Sequence, residues 1–226
     1  MQSAPSWNIR EIYNGFSAPV TEEDCGLYCA AHNPSRKPFC CDICLAVPAA
    51  YHAEWNYLRE HTALWHPWRG DECSTEQSDP RSLEEQTPLH MRLLACLGPE
   101  QCERDYRSIS CRQFPFFPYI TSDDRFIGLT YNWDFEDTCW VISHLDLVSP
   151  VFRQEFICTY DELLYEVPDD YDSYYYLSED MRRHFAKIRR RIPLLHRDGG
   201  TYLISPKSEK LAKASFSQMR KFGPYA

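Results

Sequence analysis

Three cysteines fall within five positions in the stretch FCCDIC, Phe39–Cys44. A disulfide needs its two Cβ atoms to face one another at about 3.5–4.5 Å, which neighbouring residues seldom manage. Cys40, Cys41 and Cys44 must therefore find partners elsewhere, and the fold has to bring those partners in. Counted along the chain, the cysteines form two groups. The first runs Cys25-x3-Cys29-x10-Cys40-Cys41-x2-Cys44, and the second runs Cys96-x5-Cys102-x8-Cys111, with Cys139 downstream. Cys73 and Cys158 lie outside both and read as small buried hydrophobes.

The total of 11 cysteines is odd, so a framework of disulfides alone leaves a thiol over. A chain of 226 residues can also bury a core without covalent staples. Thiolates a few residues apart can curl around one ion, and such soft ligands suit zinc or iron–sulfur clusters. A redox pair is another reading, because Cys41-x2-Cys44 has the spacing of thiol oxidoreductases, though no βαβ pattern follows it.

The net charge of -9, from 24 Lys+Arg against 33 Asp+Glu, argues against a nucleic-acid partner. No apolar run approaches the roughly 20 residues of a membrane helix, and the start MQSAPSWNIREIYNGF lacks a basic region followed by an apolar one. The expectation is a cytoplasmic, bacterial protein with neither membrane nor nucleic-acid partners. No GxSxG elbow, GxxxxGK[ST] loop or GxGxxG turn occurs, so hydrolase and nucleotide-binding readings have no motif behind them. His52, His61 and His66 match no zinc-binding spacing and read as satisfied or exposed, and His90 and His144 are unassigned.

The apolar spacing of Tyr51, Trp55 and Leu58 predicts an amphipathic helix over Pro48–Trp65. Residues 69–88 are charged and read as a solvated loop. Strands are predicted at 125–133 and 201–206, and a helix capped by Ser178 runs through SEDMRRHFAKIRRRI, its basic run read as a solvated face.

The second cysteine group sits in CLGPEQCERDYRSISCRQFPFFPY, residues 96–119. Cys96, Cys102, Tyr106, Cys111, Arg112, Phe114 and Pro115 resemble the second half of the zinc- or iron-chelating cysteine-cluster family (CxxCxxCC, YkgJ-like), and Cys139-Trp140 its later single cysteine. The head departs from CxxCxxCC, and Arg107-Ser108 stands where the family has an Arg-Pro pair. The resemblance covers roughly residues 25–140. It implies that Cys25, Cys29, Cys40, Cys41, Cys44, Cys96, Cys102, Cys111 and Cys139 hold a metal ion or cluster. Iron–sulfur is preferred over zinc, because so many clustered thiols exceed what one zinc needs. Arg112, beside Cys111, reads as a cation that offsets thiolate repulsion, or else as a surface ion pair.

The expected fold is α+β, a helix-rich, irregular single domain organised around a cysteine-ligated metal centre. Residues 1–24 form an irregular N-terminal segment, 25–140 the metal-binding region and 141–226 a helical extension packed on the same domain. The expected function is metal binding of unassigned role. Two alternatives stand beside it: an iron–sulfur-dependent methyltransferase resembling the flagellin lysine methylases, and a disulfide-rich binding module.

Overall fold

The protein's structure, a computed structural model, describes residues 8–73 and 80–226. It mixes helix and sheet, as the composition of apolar periods predicts, and divides into two compact units. The first comprises the chain up to Asn14 together with Asp24–Arg112; the second comprises Gly15–Glu23 and Gln113–Ala226.

In the first unit the helices are short: α1 (Ile9–Gly15) and α2 (Cys25–Ala30) precede β1 (Ala49–Tyr51), α3 (His52–His61), β2 (Trp65–Pro67), α4 (Pro80–Gln86), β3 (Met91–Cys96) and α5 (Ile109–Gln113). The three strands form an antiparallel sheet in the order β1-β3-β2. The predicted helix over 48–65 is therefore trimmed at both ends. Ala49–Tyr51 pair with Leu93–Met91, and Trp65–Pro67 pair with Cys96–Leu94. Ladder bonds to a shared central strand satisfy the same backbone groups that a longer helix would use. Glu54 closes the start of α3 by accepting the Tyr51 N–H at 3.2 Å, and Leu58 is fully buried on the inner face. Part of the predicted solvated loop, residues 74–79, lies outside the described residues, and α4 follows it.

The second unit is built on a five-stranded antiparallel sheet, β4 (Phe116–Ile120), β5 (Phe126–Tyr131), β6 (Ile192–His196), β7 (Thr201–Ile204) and β8 (Leu211–Lys213), in sequence order. Helices α6 (Pro150–Glu166) and α7 (Pro168–Lys187) fill the connection between β5 and β6. Phe117 and Tyr119 point into a cluster with Met181 and Phe185 of α7, while Phe116 packs at 5.9 Å from Phe152 of α6. With helices on both faces, every residue of β4 is buried, so FFPYI shows no alternation. Gly128 is required at φ +151°, since a Cβ there would stand 2.4 Å from the Leu195 carbonyl oxygen.

Residues 113–140 fall in the second unit, because β4 and β5 belong to the same sheet as β6–β8. Residues 141–226 are accordingly not a helical extension alone. Ser178 does not cap a helix. It lies inside α7, fully buried, donating to the Tyr174 carbonyl at 2.7 Å and accepting the Ile120 N–H at 3.0 Å, so it ties α7 to β4. Among the described residues, no helix is long and apolar enough to cross a membrane.

Candidate metal centre

The Cys40–Cys41 turn is held by an acidic side chain between the cysteines. Asp42 is buried and accepts hydrogen bonds from Ser35 Oγ at 2.6 Å, Asn33 Nδ2 at 3.0 Å and the Cys44 N–H at 3.2 Å. Burial pulls its pKa up, but the donors from Ser35, Asn33 and Cys44 prevail and hold it below the ordinary carboxylate value. Asp24 caps α2 through the Gly26 N–H at 3.1 Å, setting Cys29 next to the same turn.

The second group is positioned by the small sheet. Cys96 ends β3 opposite Trp65, and Gly98 then turns the chain at φ +98° toward Cys102. Trp65 Nε1 donates to the Tyr106 carbonyl at 2.8 Å, pinning the segment before Cys111. Ser108 Oγ accepts the Cys111 N–H at 3.3 Å, and Ser110 Oγ donates to the Ala49 carbonyl at 2.7 Å.

These contacts bring Cys40, Cys41, Cys96, Cys102 and Cys111 onto the wall of one pocket in the first unit. The rest of the wall is apolar, with Leu64 and Trp65 prominent, apart from Arg107. Cys40 and Cys41 Sγ lie 3.9 Å apart and share a hydrogen bond. That bond, against the opposing effect of burial and with help from the Arg107 charge, lowers the pKa of Cys41. Burial dominates at the others: it pushes Cys111 up to about 12 and raises Cys96, Cys102 and Cys29. Thiols whose pKa is raised in this way hold their protons at neutral pH, and binding of a soft ion to them would release protons.

The remaining expected ligands fall elsewhere. The Cys44 sulfur is bonded to Cys73, with Cα atoms 5.5 Å apart, and a sulfur in a disulfide has no thiolate to offer. Cys73 is thus not a plain buried hydrophobe, and Cys158 is exposed on α6, accepting from Gln154 Nε2 at 3.2 Å. Cys25 begins α2 and Cys29 is buried, its thiol donating to the Gly26 carbonyl at 3.6 Å; neither lines the pocket. Cys139 belongs to the second unit, where it is buried ahead of a 3-10 turn over Trp140–Ser143. Among the described residues, no three His, Cys, Asp or Glu side chains already stand in a ligating arrangement. His52, His61 and His66 are engaged with the carbonyls of Leu89, Tyr57 and Pro67.

Arg112 has a different task from the one expected. Only 7 % exposed, it donates to the carbonyls of Arg107 at 2.8 Å, Tyr13 at 3.2 Å and Asp105 at 2.6 Å, and lies over the Tyr13 ring. It is a structural clamp. The cation on the pocket wall is Arg107. The signal for it was its place four residues before Cys111, where the resembled family has its Arg-Pro pair.

No protein-family model, curated protein or solved structure matches this chain.

Proposed function

We propose that the first unit binds a thiolate-ligated metal centre in the five-cysteine pocket, with an iron–sulfur cluster preferred over zinc. The observation that carries this reading is the meeting of Cys40 and Cys41 with Cys96, Cys102 and Cys111 on one wall, from segments far apart in sequence. The donor set fits. Sulfur without lining carboxylates or imidazoles selects soft ions over magnesium or calcium. Cys40, Cys41, Cys96 and Cys111 would hold the group, with the exposed Cys102 at the rim. A cluster bound there would supply one-electron chemistry, whereas zinc would supply only a structural clamp. The chain's own residues set the geometry through Asp42 and Ser108 and keep water out through Leu64 and Trp65.

Anaerobic purification followed by elemental analysis and an absorption spectrum tests the proposal. Iron with a broad thiolate band, or zinc without colour, supports it, and either must disappear in Cys41→Ala and Cys111→Ala. Metal-free parent protein overturns it.

The Cys44–Cys73 bond favours a second reading, a disulfide-stabilised binding module. That reading requires further cysteines to be oxidised in the purified protein. Mass analysis after alkylation without reductant would reveal them.

A further inference from the structure

Two arginines five positions apart meet opposite fates. Arg112 is spent on three carbonyls and the Tyr13 ring. Arg107, by contrast, lines the cysteine pocket, and its Nε is buried with no hydrogen-bond partner. Among the described lining residues it is the one side chain with a fixed charge. Its backbone is not free to carry that charge away. The Arg107 carbonyl accepts from Arg112, and the neighbouring Tyr106 carbonyl accepts from Trp65.

A buried N–H without an acceptor is costly, and among the buried, unpartnered side-chain atoms of the described residues the Arg107 Nε is the one whose residue lines the cysteine pocket. Five sulfurs share its pocket, and four thiolates around a divalent ion leave a net charge of about -2 in an apolar enclosure. Such a charge is expensive to bury without a counter-charge. A guanidinium supplies both the counter-charge and N–H donors to sulfur.

We propose that Arg107 is the positioning residue of the pocket, holding an anionic metal–thiolate complex by charge and by its Nε–H, and thereby setting the pocket's affinity for soft divalent ions. The inference rests on the metal-binding reading and goes beyond it by assigning the affinity to a residue that is not a ligand. Partners of this kind, one shell out from the metal, typically contribute 10–100-fold in affinity. Because Arg107 touches the complex only when the complex exists, its removal should leave the metal-free fold intact, or even relieve the orphaned donor.

Cobalt(II) is the probe, since its sulfur charge-transfer bands report thiolate ligation directly. Reduced, metal-free protein is titrated with Co²⁺ against a competing chelator, for the parent, Arg107→Met, Arg107→Gln and Arg107→Lys. The expected result is the same band positions throughout, with affinity about 10–100-fold weaker in the Met and Gln variants. Lys, which restores the charge, should recover part of the loss. Melting curves of the metal-free forms accompany the titration. A variant that melts like the parent yet binds more weakly supports the proposal. Two uncharged variants that fold and bind as tightly as the parent overturn it. Should one of them fail to fold, the other and the Lys rescue decide. A parent that shows no thiolate–cobalt band overturns the binding of a single soft divalent ion in the pocket and this proposal with it, whereas metal content after anaerobic purification decides the metal-binding reading itself, a distinct outcome.

Discussion

The Tyr13 hydroxyl donates to Glu54 Oε1 at 2.8 Å, and both side chains are buried. The same carboxyl accepts the Ile109 N–H at 2.7 Å and the Tyr51 N–H at 3.2 Å. One acidic group thus joins α1, the start of α3 and the start of α5, the helix that carries Cys111. Replacing Glu54 by Ala orphans three buried donors at about 1–3 kcal/mol each, so the first unit should lose at least about 3 kcal/mol. Tyr13→Phe removes a single bond and should cost about 0.5–1.5 kcal/mol. Urea unfolding of the two variants checks the order, and equal losses would contradict the hub.

Glu54 also gives the protein a pH dependence. Burial, prevailing over the donors of Ile109, Tyr13 and Tyr51 and the charge of Arg112, raises its pKa from 4.5 to about 7. Between those values the folded chain holds a proton that the unfolded chain has lost. Stability from this group is therefore fully present below pH 4.5, declines as pH rises toward 7 and is gone above it. The slope has an upper limit of about 1.4 kcal/mol per pH unit. Melting temperatures across pH 5 to 8 should show the decline, and Glu54→Gln should flatten it.

Asp42 makes a prediction of the opposite sign. Its pKa is lowered by Ser35, Asn33 and Cys44 against the effect of burial, so its contribution is present at neutral pH and lost on acidification through the folded-state value. Asp42→Ala leaves those donors without their acceptor, and should cost about 1–3 kcal/mol or more. It should also disorder the Cys40–Cys41 turn. Hydrogen exchange over residues 33–46 is the measurement, and unchanged protection there would refute the scaffold role.

Cys44 and Cys73 close a loop at a sequence separation of 29. Chain-entropy arguments put the stabilisation at about 3–4 kcal/mol for a loop of that size. Cys73→Ser, or reduction of the parent, should lower the unfolding free energy of the first unit by up to that amount. If reduction leaves stability unchanged, the bond does not form in solution.

Legibility in the sequence followed the range of the interaction. β5 and β7 were readable because their apolar runs are local, and the second half of α7 was readable from its charges. The ends of α3 were not, since β1 and β2 exist only by pairing with β3. Ser178 looked like a cap because its partners at Tyr174 and Ile120 become visible only when α7 docks on β4. In the site, spacing marked Cys40 and Cys41 apart from Cys96, Cys102 and Cys111 as two groups, and only the family resemblance implied that the groups meet. The bond from Cys44 to Cys73 was not anticipated, because Cys73 lies in a charged stretch with no companion cysteine. Arg112 outshone Arg107 by sitting beside a cysteine, yet a side chain's direction is set by packing, and Tyr13 and three carbonyls turn Arg112 away.

The most direct test of the central claim is metal-edge X-ray absorption on protein purified anaerobically, with Cys41→Ala and Cys111→Ala beside the parent. The pocket predicts a first shell of sulfur at about 2.3 Å, absent from both variants. A shell of nitrogen and oxygen alone, or metal retained unchanged in both variants, would contradict a centre held by the five-cysteine pocket.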